Sequence, residues 1–304
     1  MRPRFRKRES VQAGLARIAG AYADTVQARL GGEGLTEDDV HEVRVTLKRL
    51  RAVWRLVRPH VQAARFRSLN DLLRDAGRTL SGSRDMHVAA QTLAELLGRT
   101  RKAEAREAIG QVASSIASHA ADEHAQVAAD PLVGRALAEA RAAFASLDLP
   151  RSGWAALEPG LGKTYTQARK RLAKARKAED GLDAALHELR KRVKDLGYQL
   201  ELLVPAAPAP LGAMLKLARR TGRRLGQAHD AAMTRELLLA EDAARTVGDA
   251  DAVAMTLRRL DNQRDRLAQR SMKLAGQLLA DPPADWLGQP RGAWRRWRPD
   301  DRVQ

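Results

Sequence analysis

Apolar residues recur at intervals of three and four along almost the whole chain, while the strict alternation of a half-buried strand is nearly absent. That spacing puts one apolar stripe on each segment and predicts an all-α protein. Val11, Leu15, Ile18, Tyr22, Val26 and Leu30 form the first stripe, a helix over about 10–30 that Gly31 and Gly32 stop. Thr36 and Asp39 make a capping-box signature for a second helix, which runs to about Arg58 and ends at Pro59. Further helices are predicted near 62–80, 85–97, 101–128 and 132–146, followed by a linker from Pro150 to Gly153. Beyond it the pattern predicts helices near 161–179, 182–203, 211–225, 230–246 and 250–280, the last ended by Pro282 and Pro283.

The chain also repeats itself. Residues 41–50, HEVRVTLKRL, align without a gap on 187–196, HELRKRVKDL. The match resumes one residue out of step, where RDAGRTLSGSRD at 74–85 aligns on RRTGRRLGQAHD at 219–230. Retained spacing between the two blocks predicts two pseudo-symmetric four-helix bundles from an internal duplication, over 10–150 and 151–281. A basic N-terminal tail, 1–9, and a Pro/Arg/Trp-rich C-terminal tail, 282–304, flank them.

Charge narrows the class of partner. The 54 Lys and Arg against 37 Asp and Glu leave a formal +17, more than solubility needs and self-repelling without an anionic ligand. Inorganic polyphosphate, nucleic acid and an acidic membrane are the candidates. No run approaches the ~18 apolar residues that span a bilayer, and the basic start is followed by an amphipathic segment rather than an apolar one, so a cytoplasmic protein is expected. The chain has no cysteine, which excludes disulfides, thiolate nucleophiles and Cys-ligated zinc.

The repeated blocks carry the candidate chemistry. Along the second helix Val40, Val43, Leu47, Leu50, Trp54 and Val57 form an apolar seam. His41, Arg44, Lys48, Arg51 and Arg55 follow the same rhythm one position later, so the cations stand beside the buried seam. In the second half His187, Arg190, Lys191 and Lys194 stand likewise beside Leu186, Leu189 and Val193. Cations three or four residues apart rise about 5 Å per step, a ladder suited to a linear phosphate chain. Arg grips phosphate oxygens with paired N–H bonds, Lys adds a point charge, and His donates one hydrogen bond when neutral and two when charged. On the following helices Arg74, Arg78 and Arg84 in the first half, with Arg219, Arg220, Arg223, Arg224 and His229 in the second, would widen the stripe into a basic groove. A charge run on one helix is usually a solvated face. Retention of the same His, Arg and Lys in both halves, while intervening positions differ, favours a site.

Other motifs fail on inspection. Gly160 to Thr164 resembles the end of a P-loop, but Leu157 stands where glycine is required and no strand precedes it. His41-Glu42 and His187-Glu188 open like HExxH, yet Val45 and Lys191 occupy the second histidine position. His229-Asp230 is like a phosphohydrolase metal pair, but Arg84 replaces the histidine in the first half. Asp85 and Asp230 read as helix N-caps or partners of groove arginines, and His119 and His124 as exposed. No catalytic residue, metal or cofactor is expected. Two rival readings are nucleic-acid binding, with the indoles of Trp294 and Trp297 stacking on bases, and phosphoryl transfer through His41 or His187.

In its repeated blocks the chain resembles the CHAD family, the conserved histidine α-helical domain proteins. The resemblance rests on His41 to Arg51, on Leu186 to Lys194 with the trailing Tyr198 and Glu201, and on Arg84-Asp85 and His229-Asp230. It covers about residues 10–280. It implies two pseudo-symmetric four-helix bundles, a basic surface or central cavity, binding of inorganic polyphosphate and association with polyphosphate granules. Asp195 and Gly197 depart from the family's basic positions, implying a weaker grip by the second half. The Glu-x-Glu-x-Lys run of the triphosphatase domain sometimes attached to such proteins is absent, so hydrolysis is not implied.

Overall fold

A computed structural model describes residues 3–31, 35–80, 84–122, 130–240 and 249–299, without the side chains of 84, 85 and 119–122. All its regular elements are helical, as the periodicity predicts. The first half holds α1 (Val11–Leu30), α2 (Glu37–Leu56), α3 (Ala63–Arg78), α4 (Arg84–Arg99), α5 (Ala103–Asp122) and α6 (Pro131–Ala145). The second holds α7 (Gly153–Arg176), α8 (Leu182–Leu203), α9 (Pro208–Ala240) and α10 (Ala250–Leu278), and α11 (Pro283–Trp297) closes the chain. Both α2 and α8 end in a short 3-10 turn, at Arg58–His60 and Val204–Ala206, each containing a proline.

Local chemistry sets the ends. The Thr36 hydroxyl accepts from the Asp39 amide at 3.2 Å while Asp39 accepts from the Thr36 amide, the reciprocal box that starts α2. Asp39 also receives Arg29 at 2.6 Å, tying α1 to α2. Asp130 and Asp249 cap α6 and α10 through their carboxylates.

Three boundaries differ from the expectation. α7 begins at Gly153 rather than near 161, and takes in Pro159 and the glycines of the false P-loop. Pro159 lies past the first turn, so it forfeits the bond its amide would give the Ala155 carbonyl and crowds that oxygen, a cost offset by the burial of Trp154, Leu157 and Leu161. The helices expected at 211–225 and 230–246 are one helix through Gly226, His229 and Asp230, so Asp230 is not an N-cap. Gly222 and Gly226 are buried there, and close packing stabilises the helix where propensity alone would break it. Residues 241–246 of that second expected helix lie outside the described residues. The segment expected as a C-terminal tail is α11, with Trp286 and Trp294 in the core.

One large core runs through both sides of residue 150, from Phe5 to Trp294. In it Trp54 lies parallel to Phe66 and edge-on to Phe144, its indole donating to the Phe66 carbonyl at 3.2 Å. A second, smaller core joins α4 and α5 to the end of α9 and the start of α10 through Leu93, Ile109, Val112, Leu238 and Leu260. The helices therefore interleave across the expected boundary near 150. α2 and α8 cross at the centre, where buried Gln199 donates to the Ala52 carbonyl at 2.9 Å.

Candidate polyanion-binding site

A cavity of about 970 Å³ opens beside that crossing. α2 presents His41, Arg44 and Lys48 to it, α8 presents His187, Arg190 and Lys194, and α9 presents Arg219, Arg223 and His229. Nine of the expected residues therefore meet in one space, brought together because α2 and α8 diverge from the Ala52–Gln199 contact and α9 closes the side. α4 completes the wall with Gln91, Thr92 and Glu95.

The two basic helices are held differently. Arg44 reaches the end of α3 and donates to the carbonyls of Gly77 and Leu80 at 3.1 and 2.9 Å, satisfying oxygens that a terminating helix leaves exposed. At the matching place α9 does not terminate, its carbonyls are used within the helix, and the Arg190 guanidinium packs on Gly226. A β-carbon on Gly226 would lie 3.3 Å from an Arg190 nitrogen. Glycine leaves that guanidinium its place, which alanine would shift by a few tenths of an ångström.

His187 and His229 are in ring contact, centroids 4.4 Å apart. Burial pushes the His187 imidazole below its ordinary value, and Lys191 and Arg190 push it further. Burial and then the fields of His187, Arg190 and Lys191 bring His229 down to about 4. Both rings are therefore neutral at pH 7 in the empty cavity, so they act there as hydrogen-bonding groups rather than as cations. The Nδ1 of His187 is buried without a hydrogen-bond partner.

The other expected ligands lie elsewhere. Arg51 and Arg55 sit further along α2, where it meets α8, and bind Asn70 at 3.4 and 2.9 Å. Burial, with Arg55 beside it, lowers Arg51 to about 10. Asp195 lies between Arg55 (3.5 Å) and Arg192 (3.0 Å), so this departure from the family pattern pairs with cations where α2 meets α8, outside the cavity lining. Gly197 does line the cavity, where α8 meets Ala218 of α9. Arg74 pairs with Asp71 and Asp75, Arg78 pairs with Asp75 at 3.5 Å, and neither lines the cavity. Lys191 is bound to Glu188 at 2.6 Å at the exposed edge of α8. Arg220 is exposed outside the lining and Arg224 donates to Gln227 at 3.0 Å. The Arg84 and Asp85 side chains and His119 and His124 lie outside the described side chains.

Asp230 was expected as an N-cap or a partner of groove arginines, whereas Glu95 and Glu201 were not expected in the cavity. Buried Glu201 binds Arg219 at 2.6 Å, and Glu95 and Asp230 line the wall. Asp230 closes a repeated block and Glu201 trails one, but their direction depends on how α9 continues and packs on α8. Trp294, expected to stack on bases, is 1% exposed and packs against Phe5, Trp154 and Trp297. Arg298 covers both Trp294 and Trp297.

The fold and site thus define an all-helical protein whose two basic helices, α2 and α8, face one cavity. A model of the CHAD domain matches residues 17–239, and the chain belongs to the CHAD family. Its structure is similar to the crystal structure of the CHAD domain from the plant Ricinus communis, with a TM-score of 0.56 and 19% identity over 93% of this chain and 96% of that one. No curated protein matches the chain.

Proposed function

We propose that this protein binds inorganic polyphosphate in the cavity between α2, α8 and α9, without chemically altering it, and so associates with polyphosphate granules. The observation that carries the reading is the convergence of Arg44, Lys48, Arg190, Lys194, Arg219 and Arg223 on one cavity. Six cations around a chain of repeating charge give charge-assisted hydrogen bonds and release of condensed counterions. Trp294 is buried and Trp297 is half-buried beneath Arg298, which leaves little indole surface to support the nucleic-acid reading.

Binding isotherms at several salt concentrations test this. Six neutralised phosphates give a slope of log K against log salt of about −4. Long chains are expected to bind far more tightly than tripolyphosphate, which cannot reach α2 and α8 together, and to displace single-stranded DNA. Equal affinity for tripolyphosphate and long chains would overturn the reading.

The histidine pair adds a pH dependence. In the empty protein each ring binds protons less readily than in the unfolded chain, so the unbound fold loses stability as pH falls from 6.5 towards about 4. An entering phosphate supplies an acceptor and opposite charge, raising both histidines, so binding takes up protons. Affinity is expected to rise as pH is lowered from about 7 to about 5, by up to tenfold per unit for each proton taken up. The variant His187→Gln/His229→Gln should flatten the profile, and wild-type affinity independent of pH would show that the anion does not reach the pair.

A further inference from the structure

Between Lys163 and Lys177 the chain carries seven cations and no acid. α7 buries Leu161, Tyr165, Ala168, Leu172 and Ala175 against the core. Lys163, Lys170, Lys174 and Lys177, spaced seven, four and three apart, fall on the opposite face and are all exposed. The stripe is about 21 Å long at the helical rise. Among the described residues none of the four lysines has an ion-pair partner. Many other surface cations do: Arg29 has Asp39, Arg99 has Glu95, Arg141 has Asp24 and Arg291 has Glu158. Cations at a helix C-terminus complement its dipole, which accounts for Lys174 and Lys177. It does not account for Lys163 and Lys170, which are well inside the helix.

The stripe connects electrostatically with the cavity. On the α8 side of α7, Arg171 joins Lys191 in holding the Glu188 carboxyl below its ordinary value, the Lys191 hydrogen bond being the larger cause. Lys191 in turn acts on both cavity histidines. Lys191 and, on the neighbouring α7, Arg171 flank the single acid Glu188, so the exposed edge of α8 between the cavity histidines and Lys170 and Lys174 keeps a net positive charge. The ligand chemistry of this face is that of a bare anionic chain. Tyr165 is buried and stacked on Trp286, so no ring is presented to a base. The exposed positions between the lysines are polar or alanine, which gives nothing to insert into lipid.

We propose that the lysine face of α7 is an outer track, which holds the part of a long polyphosphate chain that emerges from the cavity past Lys191. This rests on the reading of the cavity given above. The track converts chain length into affinity after the cavity is full, and allows a protein to stay attached to a chain whose end it does not hold.

The test measures affinity against polyphosphate chain length for wild type, for Lys170→Glu/Lys174→Glu/Lys177→Glu, and for a control with three other exposed cations reversed, Arg101→Glu/Lys102→Glu/Arg135→Glu. Wild-type affinity is expected to keep rising beyond the length that fills the cavity. The α7 variant should bind cavity-filling chains within about twofold of wild type, lose tenfold or more for long chains, and show a shallower salt dependence for those chains alone. The control should lose much less. The glutamine counterparts, which keep helix propensity without reversing the C-terminal charge, should show a smaller loss of the same kind. Unchanged long-chain binding by the α7 variant would overturn the track and leave the cavity reading standing. So would equal loss for short and long chains, or an equal loss in the control, since either reports overall charge. Absence of polyphosphate binding by the wild type would sink the cavity reading and the track with it.

Discussion

Gly160→Ala is expected to cost at least ~3 kcal/mol of stability, and more if α2 and α7 cannot separate. A β-carbon on Gly160 would stand 1.7 Å from the Leu56 carbonyl oxygen, 2.4 Å from its carbon and 2.8 Å from its α-carbon. All three atoms are backbone, so no rotamer relieves the contact. Leu56 is the last residue of α2, and the neighbouring His60 ring hydrogen-bonds the Ala156 carbonyl of α7 at 2.9 Å, so the two helices are fixed on both sides of the crossing. Moving them apart would pull Leu157 and Leu161, both fully buried, out of contact with the core. Gly110→Ala is the matched control. A β-carbon there meets nothing within 4 Å, and alanine in a helix interior should gain ~0.5–1 kcal/mol. Urea unfolding of the two variants measures both. A Gly160→Ala protein with a wild-type midpoint would mean that the two backbones do not meet as described.

Lys48→Glu/Lys194→Glu is expected to weaken binding of long polyphosphate on the order of a hundredfold or more while leaving the fold intact. Each lysine lines the cavity from a different helix, and each is only half-buried, so reversal does not strand a charge in the core. A hydrogen bond to a charged group contributes ~1.5–3 kcal/mol, and two reversals replace attraction by repulsion as well. These residues separate binding from structure better than Arg44 does, because Arg44 also holds the end of α3. Calorimetric titration with circular dichroism as a check on folding reads the result. Wild-type affinity in a folded double variant would place the anion somewhere other than this cavity.

Much of this was legible in the sequence, for identifiable reasons. Helical periodicity shows the all-α class, and the capping box at Thr36 and Asp39 needs only local chemistry. The repeated blocks revealed His41, Arg44, Lys48, His187, Arg190 and Lys194 because identical residues at identical spacing mark a common constraint. What was not legible depends on packing between distant elements. Arg51 and Arg55 continue the same stripe as Arg44 and Lys48. Arg55 is roughly 16 Å from Arg44 along the helix, where α8 has already closed on α2 and Asp195 waits. Gly226 and the His229-Asp230 pair look like a helix break, and only the burial of α9 makes the helix continuous. Gly160 looked like part of a phosphate loop, while its actual constraint is a carbonyl more than a hundred positions earlier in the chain. Trp294 has the sequence context of a solvent-facing aromatic, yet it is covered by Phe5 from the other end of the chain.

The 33 residues of α9 form a strut about 50 Å long. Its first half is clamped in the large core by Leu211, Leu215 and Leu225, and its second in the small core by Ala231 and Leu238. Arg219, Arg223 and His229, its contribution to the anion cavity, lie along the span between Leu215 and Ala231. An anion bound there would be gripped by the beam that joins the two cores, and neither core could pull away from the other without bending the wall that holds the charge. A polyphosphate chain seated there would act as a splint, bracing the joint between the cores that the protein's own packing leaves hollow.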